Sequence, residues 1–196
     1  MKEIIFASHN QGKIKEIRQL LSPLGVRVLS SDDIDLPDVE ETGSTFEENA
    51  ALKALSIAKL KNVPCLADDS GLCVDALGGR PGVYSARYAP HRDFKKAMQM
   101  LLKEMLDTKN PNRNAHFSCV LVLGNPDGTY RAFEGRVDGK INYEPKGESG
   151  FGFDPVFVPD GYEQTFAELG ASVKNKISHR GRALAKFVLF MKKQGI

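Results

Sequence analysis

Ile4-Ile5-Phe6-Ala7-Ser8-His9-Asn10-Gln11-Gly12-Lys13, read on through Val26-Arg27-Val28-Leu29, decides the fold class. Ile4–Ala7 is a short apolar run of the kind that makes a buried strand, and the polar segment Ser8–Gly12 breaks it. From Lys13 the apolar residues Ile14, Ile17, Leu20 and Leu21 recur at helical spacing. Pro23 and Gly25 stop that helix, and Val26–Leu29 reads as a second strand. Strand, turn, helix, strand is the signature of a parallel βαβ pair, which predicts an α/β protein.

Outward from there the pattern continues. Ile34–Gly43 is an acidic loop carrying Asp35, Asp38, Glu40 and Glu41. Ser44 or Thr45 caps a helix, with Glu47 or Glu48 at the capping-box position. That helix runs through Ala51, Leu55, Ala58 and Leu60 and ends near Asn62-Val63-Pro64. Cys65-Leu66-Ala67 is predicted as a buried strand that ends abruptly at Asp68-Asp69-Ser70-Gly71, with Leu72–Leu77 apolar again. Phe94, Ala97, Met98, Leu101, Leu102 and Met105 give another amphipathic helix. Phe117–Leu123 and Thr129–Asp138 flank the turn Asn125-Pro126-Asp127-Gly128 as an antiparallel hairpin. Gly147–Pro155 is a glycine-rich loop, Asn175–Arg180 is predicted as a polar loop, and Ala183, Leu184, Phe187, Val188 and Met191 form a last helix.

With 196 residues, 41% of them hydrophobic, the chain can bury one core or two lobes sharing one sheet, and 1–196 is taken as a single domain. A net charge of +2, without a run of basic residues, leaves no global field for a polyanion, so nucleic acid is not an expected partner. Cys65, Cys73 and Cys119 lie in apolar runs with no Cys-x-x-Cys pair, which predicts buried thiols in a reducing compartment. Met1–Phe6 is too short an apolar run for a signal peptide. No stretch approaches the roughly 18 apolar residues of a span. A soluble cytoplasmic protein with no membrane partner is expected.

Five segments carry candidate chemistry. Ser8-His9-Asn10-Gln11-Gly12-Lys13 sits between a strand and a helix, where free N–H groups and the helix dipole suit a phosphate. It is not a P-loop, because Ala7 and Ile14 stand where Gly and Ser/Thr are needed. Asp68-Asp69-Ser70-Gly71 places two adjacent carboxylates at a strand end, where ligand sites of α/β sheets lie. Such carboxylates repel, and a cation relieves them; Mg²⁺ takes one or two carboxylates plus water and phosphate. On a strand the two would point to opposite faces. Glu40-Glu41 before the next helix could add a metal ligand, while Lys53 could be a plain solvated charge. Gly150-Phe151-Gly152-Phe153-Asp154-Pro155 lets backbone approach a ligand and offers phenyl rings to a purine. Lys174-Asn175-Lys176-Ile177-Ser178-His179-Arg180-Gly181 offers donors, with His179 beside a guanidinium able to read a carbonyl oxygen. His9, His91 and His116 show no metal-ligand spacing.

In this order these segments, together with Glu40–Ala50, Ala67–Leu72 and Gly82-Val83-Tyr84-Ser85-Ala86-Arg87-Tyr88, make the chain resemble the inosine triphosphate pyrophosphatase family over nearly its full length. The resemblance implies an elongated mixed sheet flanked by helices, two lobes with an active-site cleft between them, and a homodimer. It implies Mg²⁺-dependent hydrolysis of inosine and xanthosine triphosphates and their deoxy forms to the monophosphate and pyrophosphate, which cleanses the nucleotide pool. Carried over by motif, Asp69 is the general base, supported by Asp68 and Lys53, and Glu40 or Glu41 with Asp69 makes the metal site. Ser8, His9, Asn10, Gln11, Gly12 and Lys13 take the phosphates, and Ser70 also binds substrate. Phe151, Gly152, Phe153, Asp154, Lys174, His179 and Arg180 take the base. The family commonly has Thr-Gly-Asn where this chain has Ser8-His9-Asn10, so the hydroxyl is kept and a glycine is lost.

Three other functions are compatible with the residues: a similar enzyme for modified pyrimidine nucleotides, a nucleotide sensor without catalysis, and a nucleic-acid binder. Paired acids near phosphate argue against the sensor, and the near-neutral charge against the last.

Overall fold

The computed structural model describes residues 3–195; Met1 and Lys2, the start of the run too short for a signal peptide, and Ile196 lie outside the described residues. The predicted opening is present. Strand β1 (Glu3–Phe6) leads into helix α1 (Gln11–Leu21) and strand β2 (Arg27–Leu29), and β1 and β2 pair in parallel with Glu3 opposite Arg27. Asn10 caps α1 by accepting the Lys13 N–H. The helix buries Ile14, Ile17 and Leu21 and ends in a tight Ser22–Leu24 turn closed by Gly25 at φ 68°.

Helix α2 (Phe46–Lys61) is opened by Thr45 and Glu48 in a reciprocal capping box, which settles the Ser44/Thr45 and Glu47/Glu48 alternatives. Strand β3 (Cys65–Val74) then pairs in parallel with β1. Helix α3 (Phe94–Asp107), strands β4 (Asn114–Gly124), β5 (Tyr130–Ile141) and β6 (Phe157–Pro159), and helices α4 (Phe166–Ile177) and α5 (His179–Lys193) complete the chain. The strands run β2-β1-β3-β4-β5-β6 in one sheet, and β6 is antiparallel to β5, so the α/β sheet is mixed as expected.

The chain forms two compact units. One comprises the chain up to Asp69, Val120–Glu134 and the chain from Ala183; the other comprises Ser70–Cys119 and Gly135–Arg182. In the first, α2 lays small residues on the sheet. Ala50 and Ala54 meet Ala67, Val120 and Val122, while Ile57 and Ala58 meet Ile5, Leu36 and Cys65. Gly124 permits that approach, since a Cβ there would lie 3.0 Å from the Ala54 carbonyl carbon. In the second, Leu72, Leu101, Phe117, Phe157 and Phe166 anchor the core, with the Phe117 and Phe157 rings 4.7 Å apart.

Three expectations are corrected. Strand β3 does not end at Asp68; it continues through Asp68-Asp69-Ser70-Gly71 to Val74. Charge ends a strand only when it must reach water, and here each carboxylate meets a donor inside the protein. Asn175–Arg180 is not a loop: Asn175–Ile177 finish α4, and His179 and Arg180 begin α5. Ser178 alone separates them, extended at ψ 159°, with its hydroxyl accepting the Gly181 N–H and so starting the next helix at once. None of the three cysteines forms a disulfide among the described residues, but only Cys65 and Cys119 are buried, and Cys73 is half-buried. Among the described residues no helix is long and apolar enough to cross a membrane.

Candidate active site

Strand alternation and helix periodicity build the site in the first unit. Odd-numbered residues of β3 face α2: Cys65 lies against Ile57 and Ala58, Ala67 against Ala50 and Ala54, and Asp69 comes next in line. Asn49 and Lys53 are one helical turn apart on α2 and therefore share a face. Asn49 Nδ2 donates to Asp69 Oδ2 at 3.1 Å, and Lys53 Nζ donates to the Asp68 carbonyl oxygen at 2.6 Å. The Asp68 side chain turns the other way, as alternation requires. Its Oδ2 accepts from Lys13 Nζ of α1 at 2.8 Å. Adjacent carboxylates are thus served by different helices.

The acidic loop contributes one of its two candidates. Glu41 Oε1 accepts from Lys53 Nζ at 2.6 Å, whereas Glu40 is exposed to solvent. The loop is drawn tight because Gly43 has no Cβ: one there would lie 2.7 Å from Asn49 Oδ1 and 2.6 Å from Glu48 Cβ. Lys53 is no plain solvated charge. Burial alone would lower its pKa, but the negative charge of Asp68, the Glu41 bond and the charge of Asp69 outweigh that and raise it.

Asp69 is the carboxyl group of this cluster that is hard to ionise. Burial pushes its pKa up to about 6; Lys53 and the Asn49 bond oppose the shift, and Glu41 and Asp68 add to it. Three carboxylates thus share two ammonium groups. Among the described residues no three His, Cys, Asp or Glu are arranged to hold a metal by themselves. Mg²⁺ asks for less, one or two carboxylates completed by water and phosphate. Asp69 and Glu41 could hold such an ion, because a cation offsets the cost of ionising Asp69.

The Ser8–Lys13 segment enters α1 as a capped turn. Asn10 N–H donates to Ser8 Oγ at 3.1 Å and Lys13 N–H to Asn10 Oδ1 at 3.1 Å. Gln11 is tied to Asp32 at 2.7 Å, Gly12 is exposed, and His9 lies 3.5 Å from Asp38 at the surface. No acidic residue occupies the first turn of α1, so its positive end is not neutralised from within. Ser70 follows in β3, half-buried.

A different cluster lies in the second unit. Asp154, 1% exposed, accepts from Lys174 Nζ at 2.5 Å and from the Phe151 N–H at 2.9 Å. Gly150, at φ 80°, leaves room for that carboxylate, since a Cβ there would lie 2.2 Å from Asp154 Oδ2. The Phe151 ring is 53% exposed, and Lys174 Nζ and Arg180 Cζ stand 4.4 and 5.7 Å from its centroid. His179 stacks on Phe117 with centroids 4.8 Å apart. Gly152, at φ 65°, bends the loop so that Phe153 turns inward. Phe153 is 2% exposed and packs on Phe94 and Tyr88, so its ring is core rather than surface.

Asn49 lies inside the Glu40–Ala50 motif, where the sequence alone assigns it no role. The signal was present: an asparagine and a lysine at i and i+4 on the edge of an alanine-rich buried stripe.

A parallel βαβ opening, two strand-borne carboxylates, and two lysines, one on the Asp68 carboxylate and one on Glu41 and the Asp68 carbonyl, define an α/β protein with an acidic, lysine-laced site. The chain matches the model of the Ham1 family over residues 4–190. The dITP/XTP pyrophosphatase of Gluconobacter oxydans is 48% identical over 187 residues, which cover 95% of this chain and 89% of that protein. The dITP/XTP pyrophosphatase of Bacillus subtilis is 48% identical over 188 residues, 95% of each. Among solved structures, a HAM1 protein from Coxiella burnetii superposes with a TM-score of 0.95 at 40% identity, covering 98% of this chain and 100% of that one. The Staphylococcus aureus Ham1 protein gives 0.92 at 42% identity, with 98% and 100% covered. The chain belongs to the Ham1 family, as the six motifs implied.

Proposed function

We propose that this chain hydrolyses non-standard purine nucleoside triphosphates, inosine and xanthosine triphosphates and their deoxy forms, to the monophosphate and pyrophosphate with Mg²⁺. The observation that carries the proposal is the cluster of half-buried Glu41 with buried Asp68 and Asp69, in which Lys13 holds the Asp68 carboxylate, Lys53 holds Glu41 and the Asp68 carbonyl, and Asn49 holds Asp69. Relatives named dITP/XTP pyrophosphatase, 48% identical across nearly the whole chain, support it.

Lys13, which holds Asp68 when no phosphate is present, turns its ammonium to the triphosphate. N–H groups at the start of α1 add donors. Lys53 holds Glu41 and the β3 main chain, and so fixes where the carboxylates stand. Mg²⁺, when bound by Asp69 and Glu41, supplies charge that masks the phosphates. Asp69 accepts the proton of the attacking water, as a carboxylate held by Asn49 within the cluster. The water oxygen bonds to the α-phosphorus, the bond to the bridging oxygen breaks, and pyrophosphate leaves.

In the second unit, Phe151 offers a face for the base. Lys174, His179 and Arg180 provide donors for the oxygen at purine position 6. Adenine presents an amino group there, which would leave a buried donor unpaired. We extend the proposal to a homodimer, for which light scattering should give twice the chain mass. The test of the activity is a panel of all nucleoside triphosphates with and without Mg²⁺, with products identified. Pyrophosphate from inosine triphosphate, dependent on Mg²⁺ and absent with Asp69→Asn, is expected. Orthophosphate as the direct product would contradict the reading.

A further inference from the structure

Asn49 has a buried role that neither the sequence motifs nor the proposed chemistry assigns. It is 0% exposed, and asparagine is a poor residue for a helix interior, so the position needs compensating bonds. It makes two, to separate segments. Gly43 N–H donates to Asn49 Oδ1 at 2.7 Å, and Asn49 Nδ2 donates to Asp69 Oδ2 at 3.1 Å. The first bond fixes the direction of the second: a backbone N–H can only donate, so the amide oxygen must face Gly43 and the amide NH₂ must face Asp69.

We propose that Asn49 is the positioning residue of the reaction, tying the Glu41-bearing loop and the Asp69 carboxylate to one rigid point on α2. One amide then sets two distances at once. It fixes the rotation of the Asp69 carboxylate by claiming one of its oxygens. It also fixes the loop through Gly43, two residues from Glu41, while Lys53 on the same helix face holds the Glu41 carboxylate itself. The missing Cβ of Gly43 belongs to the same device, since a methyl group there would collide with Asn49 Oδ1. Such an arrangement presents two carboxylates at a set separation to a hard cation, the usual task of an outer partner in a metal site. The inference rests on the proposed assignment of Asp69 and Glu41.

The test compares wild type, Asn49→Ala, Asn49→Ser and Gly43→Ala with Ile57→Ala, a core truncation on the same helix. Three quantities are read: kcat and KM for inosine triphosphate with Mg²⁺, binding of Mn²⁺ alone to nucleotide-free protein by electron paramagnetic resonance, and melting temperature. The expected result is a loss of about 10–100-fold in kcat and in Mn²⁺ affinity for the Asn49 and Gly43 variants, with KM little changed. Ile57→Ala should lower the melting temperature and leave both other quantities intact. If Asn49→Ala fails to fold, Asn49→Ser and Gly43→Ala carry the comparison. Asn49 variants that keep wild-type kcat and Mn²⁺ affinity, or lose only what Ile57→Ala loses, overturn the inference. A wild type that does not cleave the nucleotide overturns the proposed function instead, and the Mn²⁺ measurement still decides the role of Asn49.

Discussion

Each unit buries a lysine against an aspartate, and the two pairs are built for opposite tasks. In the first, Lys13–Asp68 stands beside Asp69, Glu41 and Lys53, so carboxylates outnumber ammonium groups, and burial, with Glu41 and Asp68 adding to it, makes Asp69 hard to ionise. In the second, Lys174–Asp154 stands beside Arg180 and the faces of Phe151 and Phe166, so cations outnumber carboxylates and aromatic rings surround them. The same ion pair therefore means different chemistry. An acid surplus invites a cation with its phosphates, and a basic, aromatic surround suits a planar ring bearing carbonyl oxygens.

The largest test of that contrast is Asp69→Asn. Loss of the proposed general base should cost about 10²–10⁴-fold in rate. Stability should move the other way. The folded pKa of about 6 lies above the ordinary 3.8, so the folded state holds its proton more tightly. Wild-type stability therefore falls as pH rises from about 4 to about 6 and is level beyond. In metal-free buffer Asp69→Asn should be the more stable protein above pH 6, by on the order of 3 kcal/mol, with the gap closing toward pH 4. Urea midpoints across that range measure it.

Breaking the lysine pairs comes next. Lys174→Met strands Asp154, 1% exposed, and should cost about 3–5 kcal/mol in urea unfolding. Lys13→Met should cost clearly less, because Asp68 keeps the charge of Lys53 nearby. Equal losses would mean that the two pairs are alike after all.

The phenylalanines of the second unit divide the same way. Phe151→Ala should raise KM for inosine triphosphate by the equivalent of about 1–3 kcal/mol and leave the fold intact. Phe153→Ala should instead cost about 3–5 kcal/mol of stability. The smallest effect is a reporter: an alkylating reagent should modify half-buried Cys73 of the second unit first. It should leave Cys65 of the first unaltered, since burial pushes that thiol up to about 12. Peptide mapping reads the order.

What the sequence disclosed follows from how local each signal is. The βαβ opening, the Thr45–Glu48 box and the α3 stripe depend on neighbours within a few residues, and all are present. Helix α2 instead buries Ala50, Ala54, Ile57 and Ala58; of the expected line Ala51, Leu55, Ala58 and Leu60 only Ala58 is buried, and Leu60 is 62% exposed. Strand β3 was misjudged at Asp68 because its carboxylates are satisfied by Lys13, 55 residues away, and Asn49, 20 residues away from Asp69. The polar stretch Asn175–Arg180 hid two helix ends because one serine acts as a cap between them. Glu40 and Glu41 are equivalent as letters, and only the reach of Lys53 separates them. Phe151 and Phe153 likewise share a motif and not a side.

The most direct measurement of the central claim is hydrolysis of inosine triphosphate in ¹⁸O-water with Mg²⁺, followed by mass spectrometry of both products. Attack at the α-phosphorus predicts one ¹⁸O in the monophosphate, none in the pyrophosphate, and no labelled product with Asp69→Asn. Label in pyrophosphate or orthophosphate, or unchanged turnover by Asp69→Asn, would contradict the account.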